Sequence, residues 1–259
     1  MAGGASSWAR LLLLALAVGL VACTPLRRGG NGGGGDDDDD DDSAAADDDD
    51  SVGADADGDG FGDDEEVAEG TDPDDPYSWP YEEGRWPGFG DEAAAAGLSS
   101  SGWGMGATAP NVVFGDQYGN AVELYDFYGH VVALQLHTGW SGPCITMGME
   151  TQAWWEFWRE DGMIVLHFLL DTAAQNPPET ADLWDWAFQV GVEHPVLTQF
   201  PVTEPDAMGQ GEVYSFVVPT TILLSREMVV SGVFEGFPPG GPSDYDADVN
   251  ALVFDPLPW

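Results

Sequence analysis

The sequence predicts an α/β domain that follows a long, disordered, acidic N-terminal arm. Strand-like and helix-like segments alternate from about residue 106 onward, which is typical of an α/β sheet. Residues 1–110 contain 26 acidic residues and are rich in Gly and Ala. Residues 111–259 contain 21 acidic residues and most of the Trp, Phe and branched aliphatic residues. The hydrophobic core is therefore expected in this second part of the chain.

Residues 1–22 are predicted to be a signal peptide. Arg10 supplies its positive charge, and residues 11–20 form an apolar stretch that is too short to span a bilayer. The sequence LVAC at residues 20–23 resembles the lipobox of bacterial lipoproteins. This resemblance implies an exported protein that is acylated at Cys23 and anchored in the bacterial cell envelope, at the periplasmic face or in the outer membrane. The alternative is an ordinary cleavable signal followed by an incidental cysteine.

Residues 23–54 are predicted to be a disordered tether. Four glycines at residues 32–35 precede runs of Asp at residues 36–42 and 47–50. Such a segment has too few apolar residues to offset the entropy of folding, and its charges repel one another. We interpret it as a spacer between the membrane and the domain. A weak cation sponge is the alternative.

Residues 55–76 are predicted to form a calcium-binding repeat. Calcium loops place oxygen ligands at positions 1, 3, 5, 7, 9 and 12, with Gly at position 6 for a sharp turn. Gly60 is at position 6, and the segment resembles the thrombospondin type-3 calcium repeat. The predicted structural Ca²⁺ ligands are Asp55, Asp57, Asp59, the Phe61 carbonyl, Asp63 and Glu66. An acidic linker that matches the pattern by chance is the alternative, and no long flanking helices are predicted.

The domain is predicted to span residues 106–259, after a Trp-, Gly- and Ala-rich linker at residues 77–105 that is expected to pack partly on the domain. Residues 110–114 lead to a predicted turn at 116–120. Predicted strands are at residues 131–136, 163–170, 221–224 and 229–234, and predicted helices are at 142–159, 179–189 and 246–254. The strands at 131–136 and 163–170 are continuous apolar runs, which is typical of buried central strands. The three tryptophans at residues 154, 155 and 158 are interpreted as core residues, with a partner surface as the alternative.

Four segments of the domain resemble the redoxin branch of the thioredoxin superfamily. They are APNVVFGD at residues 109–116, LYDFYGHVV at 124–132, TGWSGPC at 138–144 and VPTTILL at 218–224. That branch contains membrane-tethered thiol–disulfide oxidoreductases and peroxiredoxins. The resemblance implies a thioredoxin-like fold, a central mixed sheet flanked by helices, with a cis-proline at Pro219.

The redox motif of this family lacks one of its cysteines here. The family's nucleophile is the first cysteine of CxxC, and the second cysteine resolves the mixed disulfide. Ser141 stands at the first position and Cys144 at the second, and Gln135 stands where many thioredoxins have a buried acid. A serine hydroxyl cannot form a disulfide. If Cys23 carries lipid, Cys144 is the sole thiol of the mature chain.

Two functions are consistent with this motif. The first is a thiol-dependent redox protein in which Cys144, with Ser141 and Pro219 around it, exchanges disulfides or reduces peroxide. Such a protein needs an external thiol, from a partner protein or a low-molecular-weight compound. The second is a catalytically inactive binding module tethered to the membrane, in which Cys144 is buried and inert. For a peroxidase, His137 replaces the expected proline and Arg226 is the only arginine nearby in sequence.

The formal net charge of -41 excludes nucleic acid as a partner, because the chain and the phosphates repel each other. All six basic residues are arginines. No organic cofactor is predicted, and the four histidines have no zinc-ligand spacing with cysteine. His167 lies in an apolar run and is interpreted as a core residue. His137 precedes Cys144 by seven residues and is a candidate to perturb the pKa of its thiol.

Overall fold

The structure is a computed structural model that describes residues 54–82, 84–199, 217–256 and 258. The predicted signal peptide, Cys23 and residues 23–53 of the tether lie outside the described residues. The helices are α1 (Asp63–Glu69), α2 (Gly90–Ala96), α3 (Gly142–Trp158), α4 (Thr180–Val190) and α5 (Asp246–Val253). The strands are β1 (Val113–Asp116), β2 (Ala121–Glu123), β3 (Val131–Thr138), β4 (Met163–Asp171), β5 (Val196–Gln199), β6 (Thr220–Leu224) and β7 (Val230–Glu235). Short 3-10 helices lie at Leu124–Phe127, Arg159–Asp161 and Gly241–Tyr245.

These strands form one mixed sheet in the order β2-β1-β5-β4-β3-β6-β7. β3, β4 and β5 are parallel and are connected through α3 and α4, since parallel strands require a crossover. β6 is antiparallel to β3, and β7 is antiparallel to β6. A parallel β-α-β unit followed by an antiparallel strand pair and a final helix is a thioredoxin-like arrangement. The predicted fold class is therefore confirmed.

Strand β3 lies near the middle of the sheet and is buried along its whole length. It pairs with β4 on one side and β6 on the other, so both of its edges are hydrogen-bonded. Its first four residues are all apolar, as expected for a strand that is buried on both faces, and Gln135, His137 and Thr138 are buried polar residues of its second half. The structure extends the predicted strand by two residues, to His137 and Thr138.

Helices α3 and α4 lie on the same face of the sheet and contact each other. A Cβ atom added to Gly148 of α3 would lie 2.9 Å from the Val190 side chain of α4, so the two backbones approach closely. Thr151 of α3 donates a hydrogen bond to the Gln135 side chain of β3 at 3.0 Å. Trp186 of α4 donates to His167 of β4 at 3.2 Å. These bonds join both helices to one set of sheet residues.

The three tryptophans of α3 are buried, as predicted for core residues. The indole nitrogens of Trp154 and Trp158 both donate to one carboxylate oxygen of Asp246, at 2.9 and 3.0 Å. Buried indole N–H groups need such partners because an unpaired donor is costly away from water. Asp246 is the first residue of α5, so this pair of bonds fastens the last helix to α3.

Strand β5 is absent from the elements predicted above. It spans only four residues, pairs in parallel with β4 at two positions and is antiparallel to β1. Its burial falls from Val196 to Gln199 without a clear alternation. A segment this short has too little pattern of its own to indicate a strand, and the sheet stabilises it from both sides.

Residues 77–105, assigned above to a linker, contain α2 and contact the domain closely. Trp79, Phe89 and Trp103 are buried within this segment. Ring centroids of Trp79 and Trp155 of α3 lie 6.1 Å apart. Before this segment, the calcium-repeat region at residues 55–76 contains only the seven-residue helix α1, in agreement with the prediction of no long flanking helix. Large aromatic residues explain the packing, because each removes a large apolar area from water.

Candidate functional site

Cys144 lies in the first turn of α3, directly after the end of β3. Its side chain is fully buried in an apolar cluster made by α3, α4, β4 and β5. The cluster contains Leu169, Leu183, Trp186, Ala187, Val190, Val192 and Val196. Burial raises the pKa of the Cys144 thiol, while hydrogen bonds from Ser141 and Thr138 act in the opposite direction. An apolar environment favours the neutral thiol, which is a poor nucleophile.

Ser141 caps the N-terminus of α3. Its backbone is extended, with φ -90 and ψ 116, and its hydroxyl accepts a hydrogen bond from the Cys144 N–H at 3.4 Å. Serine is among the preferred residues for this role, because the hydroxyl pairs an N–H that the helix leaves free. Ser141, at the first position of the motif, is buried, and α3 begins directly after it.

Pro219 lies at the same end of the sheet's strands as Ser141 and Cys144. The Val218–Pro219 peptide is cis, as the family resemblance implied. The following residue, Thr220, pairs with Leu136 near the end of β3, and Val218 packs against the apolar cluster around Cys144. The structure therefore brings the three predicted catalytic residues together.

The rim of this site is open to solvent and partly apolar. The Trp140 side chain is 49% exposed and that of Val217 is 38% exposed. Gly142 and Pro143 are also exposed, in the first turn of α3. A partner can therefore touch the rim, although it cannot reach the buried sulfur of Cys144 without displacing this layer.

Gln135 is the centre of a buried polar cluster between the sheet and the two helices. Its side-chain oxygen accepts from Thr151 and lies 3.0 Å from Nε2 of His167 and 3.3 Å from Nε2 of His137. Trp186 donates to Nδ1 of His167. A neutral His167 must then have its proton on Nε2 and donate it to Gln135.

The described histidines are all buried and held neutral. Burial lowers the pKa of His130, His137 and His194 to about 3, and that of His167 well below its usual value. His167 is a core residue, as predicted. His137 contacts Gln135 and the ring of Trp186, with ring centroids 5.3 Å apart, inside the polar cluster.

Arg226 is held at the opposite end of the sheet from Cys144. Its guanidinium donates to the carbonyl oxygens of Gly129, Asp161 and Val253. Gly129 and Asp161 precede β3 and β4, whereas Cys144 follows β3. Arg226 is therefore not a residue of the thiol site, and a peroxidase that relies on it is not supported.

The acidic loop has the turn that calcium loops require. Gly60 has a left-handed φ of +92, which a residue with a side chain rarely adopts. The carboxylate of Asp55 accepts the N–H groups of Gly58 and Gly60, at 2.8 and 3.1 Å. Oxygen atoms of Asp55, Asp57 and Asp59 lie within 4.8 Å of one another. Such close carboxylates repel one another unless a cation or protons compensate them.

The burial of Glu66 is a second indication that the loop binds a cation. Its side chain is fully buried, and neither carboxylate oxygen has a hydrogen-bond partner among the described residues. One oxygen each of Asp57 and Asp59 is also buried and unpartnered. Burial, and then the charges of Asp57 and Asp55, raise the pKa of Glu66 to about 7. Burial likewise raises the pKa of Asp59 to about 7 and that of Asp57 to about 6, with smaller contributions from neighbouring carboxylates.

The remaining predicted ligands lie in the same loop. Asp63 accepts the Ala56 N–H at 2.8 Å and begins α1, so it also closes the loop. The Phe61 side chain is buried in the main core, and the backbone carbonyl of this residue is the predicted ligand at position 7. Buried, unpartnered carboxylate oxygens in a loop of this geometry fit a hard cation such as Ca²⁺.

Arg85 also contacts this loop, although it lies outside the sequence pattern of the calcium repeat. Its guanidinium pairs with Glu65 at 2.7 Å, donates to the carbonyl of Gly60 and lies 3.9 Å from the centre of the Phe61 ring. A single arginine in a strongly acidic stretch is a usable signal, because it must neutralise some of the neighbouring charge.

The chain resembles solved structures but matches no family model and no curated protein. A protein from Chlorobium tepidum assigned as the thiol:disulfide interchange protein DsbE is 24% identical, with a TM-score of 0.46, and the match covers 60% of this chain and 99% of that one. A secreted thiol-disulfide isomerase from Corynebacterium glutamicum is 21% identical, with a TM-score of 0.48 and coverage of 57% and 87%. The thioredoxin domain of a thiol-disulfide oxidoreductase from Bacteroides vulgatus is 16% identical, with a TM-score of 0.46 and coverage of 60% and 99%.

Proposed function

We propose that this chain is a thioredoxin-fold binding module that does not exchange disulfides by itself. The observation that supports this most directly is the complete burial of Cys144, whose thiol pKa is raised by its apolar surroundings. A nucleophilic thiol needs the opposite environment, partly exposed and electropositive. Ser141 supports the same conclusion, since its hydroxyl caps α3 and has no redox chemistry.

The rim around the motif is the proposed binding surface. Trp140 and Val217 provide exposed apolar area, and tryptophan is enriched among the residues that dominate binding energy. The chain's formal net charge of -41 favours a positively charged partner. We therefore propose that the partner of this surface is a basic protein or peptide.

A single-thiol redox protein is the second candidate. The Thr138 N–H donates to the Cys144 sulfur at 3.5 Å, and this contact lowers the pKa of the thiol. In that case the Cys144 thiolate would attack a partner disulfide, form a mixed disulfide and release one partner thiolate. An external thiol would then have to reduce the mixed disulfide.

The experiment that separates the two candidates measures the reactivity of Cys144. In a Cys23→Ser chain, Cys144 is the only cysteine, and its reaction with a chromogenic aromatic disulfide can be followed directly. We expect labelling of the native protein to be at least roughly 100-fold slower than that of the urea-unfolded chain, and no reduction of insulin disulfides. Rapid native labelling together with turnover would overturn the binding-module proposal. Ser141→Cys is the companion variant, because gained reductase activity would show that only the nucleophile is missing.

We further propose that the loop at residues 55–66 binds a structural Ca²⁺. The buried, unpartnered oxygens of Asp57, Asp59 and Glu66 support this site. Calcium at about 100 times its Kd should stabilise the protein by about 2.7 kcal/mol, a Tm increase of about 5–10 °C. Glu66→Gln should abolish the increase, and Asp64→Asn on the exposed side of α1 should keep it. An unchanged calcium response in Glu66→Gln would exclude this loop.

We also propose that the protein is exported and anchored to the cell envelope by lipid on Cys23. The lipobox-like sequence LVAC supports this location. In the part of the chain that the structure describes, no helix has the length and apolar character needed to cross a membrane. Metabolic labelling with a tagged fatty acid should mark the chain, and Cys23→Ala should remove the label. Label that persists in Cys23→Ala would contradict the assignment.

A further inference from the structure

We propose that calcium acts as a latch that docks residues 54–105 onto the sheet domain. This inference rests on the calcium site proposed above and adds a consequence for the rest of the arm. If calcium acts in this way, one ion bound at residues 55–66 determines whether the whole segment at residues 54–105 is docked on the domain.

The loop needs compensation for its charge before it can adopt the described conformation. Asp59 and Glu66 are fully buried, and the oxygens of Glu66 have no hydrogen-bond partner among the described residues. A buried carboxylate without a partner is strongly unfavourable. Without a cation, the loop is expected to open and return these groups to water.

The closed loop holds the segment that follows it by direct contacts. The Asp59 carbonyl accepts the N–H of Gly88 at 2.9 Å. The Gly60 carbonyl accepts from the guanidinium of Arg85, which also lies over the Phe61 ring. These contacts use the backbone of the calcium loop itself, so an open loop would lose them.

The segment that follows the loop also forms hydrogen bonds with the sheet domain. Phe89 N–H donates to the Asp126 carbonyl at 2.7 Å, and the Trp86 indole donates to the Asp116 carboxylate at 3.0 Å. The Tyr77 hydroxyl donates to the Gly129 carbonyl at 3.0 Å. Together with Trp79 against α3, these bonds connect described residues on both sides of position 83 to the sheet domain.

The docked segment lies at the end of the sheet where β3 and β4 begin. Tyr77 packs against Gly162 and bonds Gly129, the residues just before these two strands. Ser141 and Cys144 follow the other end of β3. Calcium is therefore expected to change the order of the arm and to leave the reactivity of Cys144 unchanged.

Trypsin provides a direct test, because the chain has no lysine and Arg85 is the only arginine between residues 29 and 158. Cleavage after Arg85 therefore reports on the arm alone, and cleavage after the buried Arg226 reports on the domain. In the full-length chain, added Ca²⁺ should slow cleavage after Arg85 by at least roughly tenfold relative to calcium-free conditions, since proteolysis follows the open population. Cleavage after Arg226 should be slow in both conditions.

Two variants at one calcium concentration exclude effects of calcium on trypsin itself. Glu66→Gln should be cut after Arg85 as fast as the calcium-free parent, and Asp64→Asn should be protected like the parent. Slow cleavage after Arg226 in Glu66→Gln shows that its domain is folded. Calorimetry separates the two proposals. Calcium binding that Glu66→Gln abolishes, with unchanged cleavage after Arg85, would overturn the latch alone, whereas absence of such binding would overturn the calcium site and the latch together.

Discussion

A serine hydroxyl can cap a helix as well as any side chain, but it cannot form a disulfide bond. Ser141 uses its hydroxyl in this way, accepting the Cys144 N–H in the first turn of α3. The hydroxyl therefore has a structural role in the first turn of α3. An oxygen at this position leaves Cys144 as the only sulfur of the motif.

Replacement of Ser141 by Ala tests the capping role. Ser141→Ala should lower the free energy of unfolding by about 1 kcal/mol, because the Cys144 N–H loses its partner at a buried helix end. Urea denaturation measures the change. Thr146→Ala, on the exposed side of the same helix, should change stability by less than about 0.5 kcal/mol. Equal stability of Ser141→Ala and the parent would show that the hydroxyl does not stabilise α3.

At the scale of elements, the contact between α3 and α4 determines the environment of Cys144. Both helices contribute residues to the apolar cluster around the sulfur, and both bond the polar cluster at Gln135. Gly148 allows the close approach, since its Cα faces the Val190 side chain. The packing of two helices thus makes the thiol inaccessible.

Two glycines of α3 provide a matched pair of substitutions. Gly148→Ala should destabilise the protein by about 1–3 kcal/mol, because its Cβ would lie 2.9 Å from Val190 and the helices would have to move apart. Gly142→Ala faces open space and should be neutral or slightly stabilising. Thermal unfolding of both variants measures the difference. A neutral Gly148→Ala would contradict the close packing of α3 on α4.

Elements with a strong pattern of their own could be predicted from sequence, and those that depend on neighbours could not. β3 and α3 were predicted within two residues at each end, because an apolar run and the sequence Ser-Gly-Pro mark them clearly. β5 and α2 are short and are stabilised by tertiary contacts. The burial of Cys144 depends on residues 169–196, which are far away in sequence, so the motif alone left its reactivity open.

At the scale of the whole molecule, the buried histidines make stability depend on pH. They lie on β3, on β4 and just before β3 and β5, and the pKa of three of them is lowered to about 3. Above about pH 6.5 the histidines are neutral in the folded and unfolded states and have no effect. Between about pH 6.5 and pH 3 only the unfolded chain binds these protons, so the folded state loses stability as the pH falls.

We therefore expect the free energy of unfolding to decrease by about 1.4 kcal/mol per pH unit for each buried histidine below about pH 6.5. Urea midpoints between pH 7 and pH 5 measure this slope, in saturating calcium so that the loop carboxylates do not contribute the opposite trend. His130→Phe keeps a ring between Tyr77 and Phe89. It should reduce the slope by about 1.4 kcal/mol per pH unit, which is the contribution of one histidine. Constant stability from pH 7 to pH 5 would contradict the buried, neutral state.

The three arginines among the described residues are all used for internal contacts. Arg85 bonds the acidic loop, Arg159 lies over Trp79 and Trp155, and Arg226 is buried. Outward-facing charge in the part of the chain that the structure describes is therefore almost entirely of one sign. Two copies of the protein that approach each other therefore repel over a screening length of about 8 Å at physiological salt. Added salt or divalent cations should reduce this repulsion and let the copies come closer together.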